Sequence, residues 1–421
     1  MEKKLQIPIP DNLEKLAQKL KHKTELFVVG GYVRNAILGI GGTDVDLCGS
    51  LTPDELKEAL KFSDFIVKDK NKKLGTVTIE VEDEIYEYTT FRKEEYEVGG
   101  KHSPVSISFV DDIREDAKRR DFTVNAIYYS ITKHKIIDIY SGLYDLQKRR
   151  IKTIETPEYV FENDGLRILR MIRIACELDF SIERHTLSIA TKMSYHLKDI
   201  SGTRKQKELL AILDASTKYS VSRKNAHIRA LEYFNQMHLW TNFYSTVSRI
   251  KLKMIKKAKS SYLCALLIDM INSINPDCVD YYLRYMLGSK GLCFTEKQRE
   301  YLVNIVCGYF DALNKLNNKN YFFKYYENFD QIGEFLAQKN IFLFNKYNFF
   351  YKYIQNYNIP IRVKDLAVDG DLIKKLKPKM PEKYIGVLLK ELLDKVFVNE
   401  IENTVEDLTK EIKVYEYRHN N

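Results

Sequence analysis

The chain has 421 residues, 44% of them hydrophobic, enough for two to four compact units at roughly 150 residues per domain. Its 67 Lys and Arg against 58 Asp and Glu leave a net charge of +9, a mild basic bias that suits a polyanionic partner. No run of about 18 apolar residues occurs, which excludes a membrane-spanning helix. None of the six cysteines forms a C-x-x-C pair, so they read as reduced core thiols of a cytoplasmic protein. The N-terminal segment is amphipathic without a long apolar core, unlike a secretory signal.

In chain order, residues 11–22 read as a helix, with Leu13, Leu16 and Leu20 at helical spacing behind Asp11 as an N-cap. Residues 27–47 combine a short buried strand at Phe27–Val29, a Gly30-Gly31 turn, a helix over 32–39, and a strand over 43–47 carrying Asp44 and Asp46. Side chains two apart on a strand share a face, so these carboxylates would converge and repel unless a cation sits between them. A divalent metal is the usual answer. The glycine turn lets backbone N–H groups approach an anion, and the helix behind it points its positive end the same way. The stretch therefore offers a phosphate cradle beside a metal site.

Residues 52–60 read as a helix, and alternation predicts strands around 75–81 and 84–90. Glu87 on the second is the candidate third carboxylate, facing inward between outward Tyr86 and Tyr88. Residues 92–112, with Gly99-Gly100 and Pro104, read as a long mobile loop with an extended piece near Val105–Phe109. A helix is expected over 113–128 and a strand over 135–140. Beyond Pro157 strand signals nearly vanish, and helical periodicity over 163–178, 184–196, 203–214, 223–237 and 384–396 predicts a helical remainder. The fold class is α+β: a head with a small mixed sheet followed by an all-α body.

Five motifs occur in order: GGYVR (30–34), DVD (44–46), RRDFTVNA (119–126), DIYSGLYDL (138–146) and DGLRILRMIR (164–173). Together with ISGTRKQKELLAIL (200–213) they resemble class II tRNA nucleotidyltransferases, the CCA-adding enzymes and their bacterial poly(A) polymerase relatives. Residues 365–403 resemble the closing segment of such enzymes from low-GC Gram-positive bacteria, whereas 215–360 has no secure match. The resemblance implies a polymerase-β-like catalytic head over 1–152 and a neck over 153–215 that selects the base. A helical body over 216–300 and a tail over 301–421 would bind tRNA.

The implied reaction adds C, C and A to the tRNA 3′ end from CTP and ATP without a nucleic-acid template. By the resemblance, Asp44 and Asp46 hold two Mg²⁺ ions with Glu87 assisting, and Gly31 and Arg34 contact the β- and γ-phosphates. Arg120 and Asp121 lie near the ribose and triphosphate. Asp164 and Arg167, at i and i+3 on one helix, share a face, with Arg170 and Arg173 continuing it. A carboxylate accepting from an exocyclic amine beside an arginine fork favours cytosine and adenine over uracil and guanine. The full-length loop at 92–112 favours complete CCA or A addition. Three positions depart from the family pattern: Asn35 and Asn163, where Asp and Glu are usual, and Thr203, where Glu is usual. Lysines at 251–259 and 374–379 are candidates for gripping the acceptor and T arms through phosphates. The alternatives are an A-adding enzyme or poly(A) polymerase, and a catalytically silent RNA-binding protein.

Overall fold

The computed structural model describes residues 7–42, 44–96, 104–315, 321 and 324–415. The chain forms two compact units. One comprises Met1–Leu252, Asn272–Asn275 and Tyr285–Phe294, and the other Lys253–Ile271, Pro276–Arg284 and Thr295–Asn421.

The first unit opens on helix α1 (Asp11–Leu20), whose Leu13, Leu16, Ala17 and Leu20 are buried. A seven-stranded mixed sheet follows, built from β1 (Phe27–Val29), β2 (Asp46–Gly49), β3 (Ile66–Asn71), β4 (Thr76–Val81), β5 (Glu84–Thr90), β8 (Ile127–Ser130) and β9 (Lys135–Asp138). Its order is β3-β4-β5-β2-β1-β8-β9. All neighbours are antiparallel except β2 and β5, which run parallel with Asp46 opposite Glu87. Helix α2 (Gly31–Leu38) follows β1, and α3 (Pro53–Leu60) follows β2. The start of α3 is set by a capping box: Thr52 accepts from the Glu55 amide, and Glu55 accepts from the Thr52 amide at 2.8 Å.

The expected acidic strand begins later than its spacing suggests: β2 starts at Asp46, and Asp44 lies in the preceding loop. The predicted helix over 113–128 stops early. It forms α4 (Ile113–Lys118), a 3₁₀ turn at Thr123–Asn125, and then β8. The run Ile127–Tyr128–Tyr129 is rich in β-branched and aromatic side chains, and burial between β1 and β9 overrides the helical pattern. Within the expected loop over 92–112, β6 (Arg92–Glu95) and β7 (Ser106–Phe109) pair as an antiparallel ribbon, so the extended piece near Val105–Phe109 has a partner strand. Gly99-Gly100 lies outside the described residues.

After α5 (Gly142–Gln147), α6 (Pro157–Asn163) leads into α7 (Leu166–Glu177), α8 (Arg184–Lys192), α9 (Gly202–Leu213) and α10 (Ala226–Gln236). One strand pair interrupts them: β10 (Arg150–Ile151) runs parallel to β11 (Ser181–Ile182).

In the second unit the described secondary structure is helical. The helix Glu382–Phe397 buries Ile385, Leu388, Leu389, Leu392 and Val396, the face its periodicity predicts, in one core with Leu408 and Ile412 of the helix Val405–Val414. Cys278 is exposed, contrary to the expectation of core thiols throughout. Among the described residues no helix is long and apolar enough to cross a membrane.

Candidate active site

The turn between β1 and α2 places a glycine against an acid. Gly30 has φ +82°, a conformation that residues with side chains rarely adopt, and a Cβ there would stand 3.6 Å from Asp46 Oδ2. One helical turn later Arg34 is buried. Its guanidinium donates to Asn35 Oδ1 at 3.0 and 2.9 Å, to Asn125 Oδ1 at 2.6 Å and to the Tyr219 hydroxyl at 3.4 Å. All of these acceptors are neutral, and no carboxylate pairs with Arg34 among the described residues. Asn125 Nδ2 donates to Asp121 Oδ1 at 3.0 Å, which turns its amide oxygen toward Arg34. Burial lowers the arginine's pKa, partly offset by Tyr219 and then by the more distant charges of Glu177 and Asp121. A buried cation without an anionic partner is a ready receptor for a phosphate.

The acidic side of the cleft is Asp44, Asp46 and Glu87. Desolvation by the cleft walls, then the charges of Glu87 and Asp44, push the Asp46 carboxyl above the usual range, against Arg120 and Lys70. Glu87 forms an ion pair with Lys70. The faces of β5 are opposite to those expected: Tyr86 and Tyr88 point into the core, and Glu87 lies on the half-exposed face. Among the described residues no three acidic, His or Cys side chains are grouped closely enough to hold a metal by themselves. The donors are all oxygens, and the charges of Glu87 and Asp44 add to desolvation in raising the Asp46 pKa, which fits a hard divalent cation completed by substrate oxygens and water.

The other wall is α7. Its apolar stripe, including Leu169, Ile172 and Cys176, is buried, which turns Arg167, Arg170 and Arg173 to the cleft. Arg170 grips Asp121 Oδ2 at 2.9 and 2.7 Å, while Asp121 Oδ1 accepts from the Phe122 amide at 2.8 Å and from Asn125. Four donors thus fill that carboxylate, and a ribose hydroxyl would have to displace one. Burial opposes ionisation of Asp121, but Arg170 and the Asn125 hydrogen bond outweigh it and hold its pKa at about 2.

Arg173 is tied to Glu208 at 2.7 Å and to Glu177 at 3.1 Å. Asp164 is not on the helix with Arg167. It sits extended at the α6–α7 junction, accepting from the Leu166 amide at 3.0 Å and from Arg204 at 2.5 Å. Arg167 instead donates to the Arg119 carbonyl at 2.7 Å, and no carboxylate pairs with it among the described residues.

Arg119 and Arg120 share a partner that motif reading passed over. Buried Asp116 accepts from Arg119 at 2.9 Å, from Arg120 at 3.1 Å and from the Tyr128 hydroxyl at 2.8 Å. The i, i+3 and i, i+4 spacing of Asp116 to the two arginines was the available signal. Glu94, at the base of the ribbon, is 3.7 Å from Arg119 and holds the Tyr96 hydroxyl at 2.6 Å. Tyr219 lies in the stretch 215–360, which has no secure match, and carried no sequence signal at all.

These walls enclose a cleft of about 930 Å³. Every expected site residue lines it except Glu87: Gly31, Arg34, Asp44, Asp46, Arg120, Asp121, Asp164, Arg167, Arg170 and Arg173. Asn35, Asn125, Glu177 and Tyr219 join them.

Residues 26–152 match the family model of the poly A polymerase head domain. The chain is 33% identical over 235 residues to the CCA-adding enzyme of Staphylococcus aureus strain Newman, covering 55% of this chain and 56% of that one. It is 40% identical over 195 residues to the CCA-adding enzyme of Lactococcus lactis subsp. cremoris strain MG1363, covering 46% of each. The chain thus spans about half the length of the curated relatives it matches. Among solved structures it resembles the Bacillus stearothermophilus CCA-adding enzyme in complex with CTP, with a TM-score of 0.63 at 21% identity over 98% of this chain and 97% of that one. The Thermotoga maritima CCA-adding enzyme complexed with tRNA superposes with a TM-score of 0.61 at 20% identity over 97% and 96%. Residues 26–152 are thus similar to the poly A polymerase head domain, and the chain has the fold of the solved CCA-adding enzymes.

Proposed function

We propose that the chain is a CCA tRNA nucleotidyltransferase that adds C, C and A to the tRNA 3′ end from CTP and ATP, without a nucleic-acid template, releasing pyrophosphate. The observation that carries this reading is one cleft that joins adjacent carboxylates to buried arginines whose charge no partner neutralises. Its chemistry fits a nucleoside triphosphate: phosphates toward Gly31 and Arg34, and the reacting α-phosphorus beside Asp44 and Asp46. Mg²⁺ held by Asp44 and Asp46 would supply charge neutralisation and a more acidic hydroxyl on the acceptor. Arg120, anchored by Asp116, stands toward the sugar and phosphates, and Arg170 through Asp121 and Asn125 keeps Arg34 in place.

Base choice falls to Asp164 and Arg167, each with hydrogen-bonding capacity left over after its contacts to Arg204 and to the Arg119 carbonyl. In this reading the head spans 1–152, the neck 153–215, and the helical body (216–300) and tail (301–421) grip the acceptor and T arms of tRNA. The reaction belongs in the cytoplasm, where tRNA and nucleotides are at hand.

The test is extension of one tRNA lacking its CCA end. CTP alone should add two residues, CTP with ATP three, and ATP alone none. The head-domain match favours a second reading as poly(A) polymerase. ATP tails growing without limit, with no CTP incorporated, would move the assignment there. A chain that extends only tRNA already ending in CC would be an A-adding enzyme.

Arg34 provides a separate check on the triphosphate site. Arg34→Gln removes the buried charge that Asn35, Asn125 and Tyr219 leave unneutralised. CTP affinity should fall about tenfold, equivalent to roughly 1.4 kcal/mol, while the unfolding midpoint shifts little, because an unpaired buried cation is itself costly. Equilibrium CTP binding and thermal melts read both. Unchanged affinity would show that the Arg34 charge does not hold the nucleotide.

A further inference from the structure

The catalytic strand has a second cavity on its other side. In the sheet, β2 lies between β1 and β5. The arginine-lined cleft takes in the β1–α2 turn, whereas a separate cavity of about 610 Å³ takes in β3, β4 and β5. Among the described residues the two share Asp44 and Asp46. In the sheet register Thr78 stands opposite Glu87, which stands opposite Asp46. Ile85, two residues before Glu87, shares its face and is 67% exposed. Lys70 of β3 reaches across to Glu87. Among its described lining residues this cavity has one lysine and no arginine.

We propose that this groove seats the 3′-terminal nucleotide of the acceptor RNA, with Lys70 at its last phosphodiester and Ile85 against the terminal nucleoside. The inference rests on the nucleotidyltransferase reading and adds to it the path of the second substrate. In the transfer, a bond forms between the acceptor 3′-oxygen and the α-phosphorus. The bond from that phosphorus to the bridging oxygen of the β-phosphate breaks, the hydroxyl proton passes to solvent, and pyrophosphate leaves. Attack and departure are in line, so the nucleophile stands across the α-phosphorus from the leaving group. The arginines fix the leaving group on the β1 side of Asp46, and the hydroxyl must therefore arrive from the β5 side. The chemistry of the groove agrees: a single cation suits one phosphodiester but not a triphosphate, and an exposed isoleucine suits the apolar faces of a ribose and base. Glu87 then stands beside the attacking hydroxyl rather than among the nucleotide's ligands.

The test uses the full-length protein and a tRNA minihelix that ends before CCA and carries 4-thiouridine at its 3′ end. Ultraviolet cross-linking should map to the segment 68–87. Lys70→Ala should raise the minihelix KM roughly fivefold and reduce its salt dependence by about one phosphate contact. Ile85→Asp should raise the same KM, and in both variants CTP affinity measured without RNA should stay within about twofold of wild type. Cross-links confined to the arginine side, an unchanged minihelix KM in both variants, or CTP affinity falling in step would overturn the groove assignment alone. Wild-type protein that does not extend the minihelix would overturn the reading beneath it as well.

Discussion

Asp46→Asn is expected to lower nucleotide incorporation by about 10³-fold, the effect of several kcal/mol of lost charge stabilisation at the reacting phosphate. The unfolding midpoint of the free protein should stay level or rise. Asp46 stands between the glycine turn and Glu87, and its carboxyl is pushed up by desolvation and by two neighbouring acids. Its folded-state pKa lies above the unfolded value, so the protonated form contributes stability at acid pH that is lost as pH rises through the folded pKa. An amide keeps the shape and removes the repulsion. Primer extension and a thermal melt on the same preparation check both halves. Incorporation at the wild-type rate would mean that the carboxylate pair is not the catalytic centre, and would favour a fold that binds RNA without acting on it.

Asp121→Asn is expected to destabilise the first unit by about 2 kcal/mol, less than the loss of a fully buried pair because the outer edge of Arg170 meets solvent. The amide offers donors where Arg170, Phe122 and Asn125 also donate. The effect should depend on pH in one direction. With the carboxyl held at about 2 in the fold and near 3.9 when unfolded, its stabilisation is complete above about pH 5 and is lost as pH falls toward 2. Chemical unfolding of both proteins between pH 7 and pH 3 should show the gap closing at the acid end. A gap that persists unchanged to pH 3 would show that Asp121 acts through packing rather than charge.

The second effect should reach the active site. Losing Asp121 frees the Asn125 amide to turn, and Asn125 is what orients Arg34 from one side. CTP affinity should therefore fall in Asp121→Asn even at neutral pH, whereas in Asp46→Asn it should fall only where the affinity depends on the metal. The two variants separate the phosphate-binding part of the cleft from the part where the phosphoryl bond is exchanged.

How much of this was legible beforehand depended on distance along the chain. The amphipathic helices were readable because their contacts lie three and four residues apart, as in Glu382–Phe397. The motif residues were readable because their chemistry is carried by residue type: Gly30 by its need for positive φ, Asp44 and Asp46 by their charge. Where competing patterns overlapped, the reading failed. Ile127 and Tyr128, read as the end of a helix over 113–128, were drawn into the sheet between β1 and β9. Glu87 was placed on the wrong face because alternation gives the period of a strand and not which side meets the core.

The sequence alone determined the chemical inventory: a glycine turn, a pair of acids and a row of arginines at spacing three, enough to indicate phosphate and metal chemistry on an α+β head. Only the tertiary structure decided which charges are spent on each other and which are left for a ligand. Arg170 and Arg173 are bound to Asp121, Glu177 and Glu208, while Arg34 and Arg167 find only neutral acceptors. The physical reason is that pairing depends on distances between segments far apart in the chain. Arg34 and Asn125 are 91 residues apart, and Asp164 and Arg204 are 40 apart. No local pattern encodes such contacts, and closing the fold is what brings them into register.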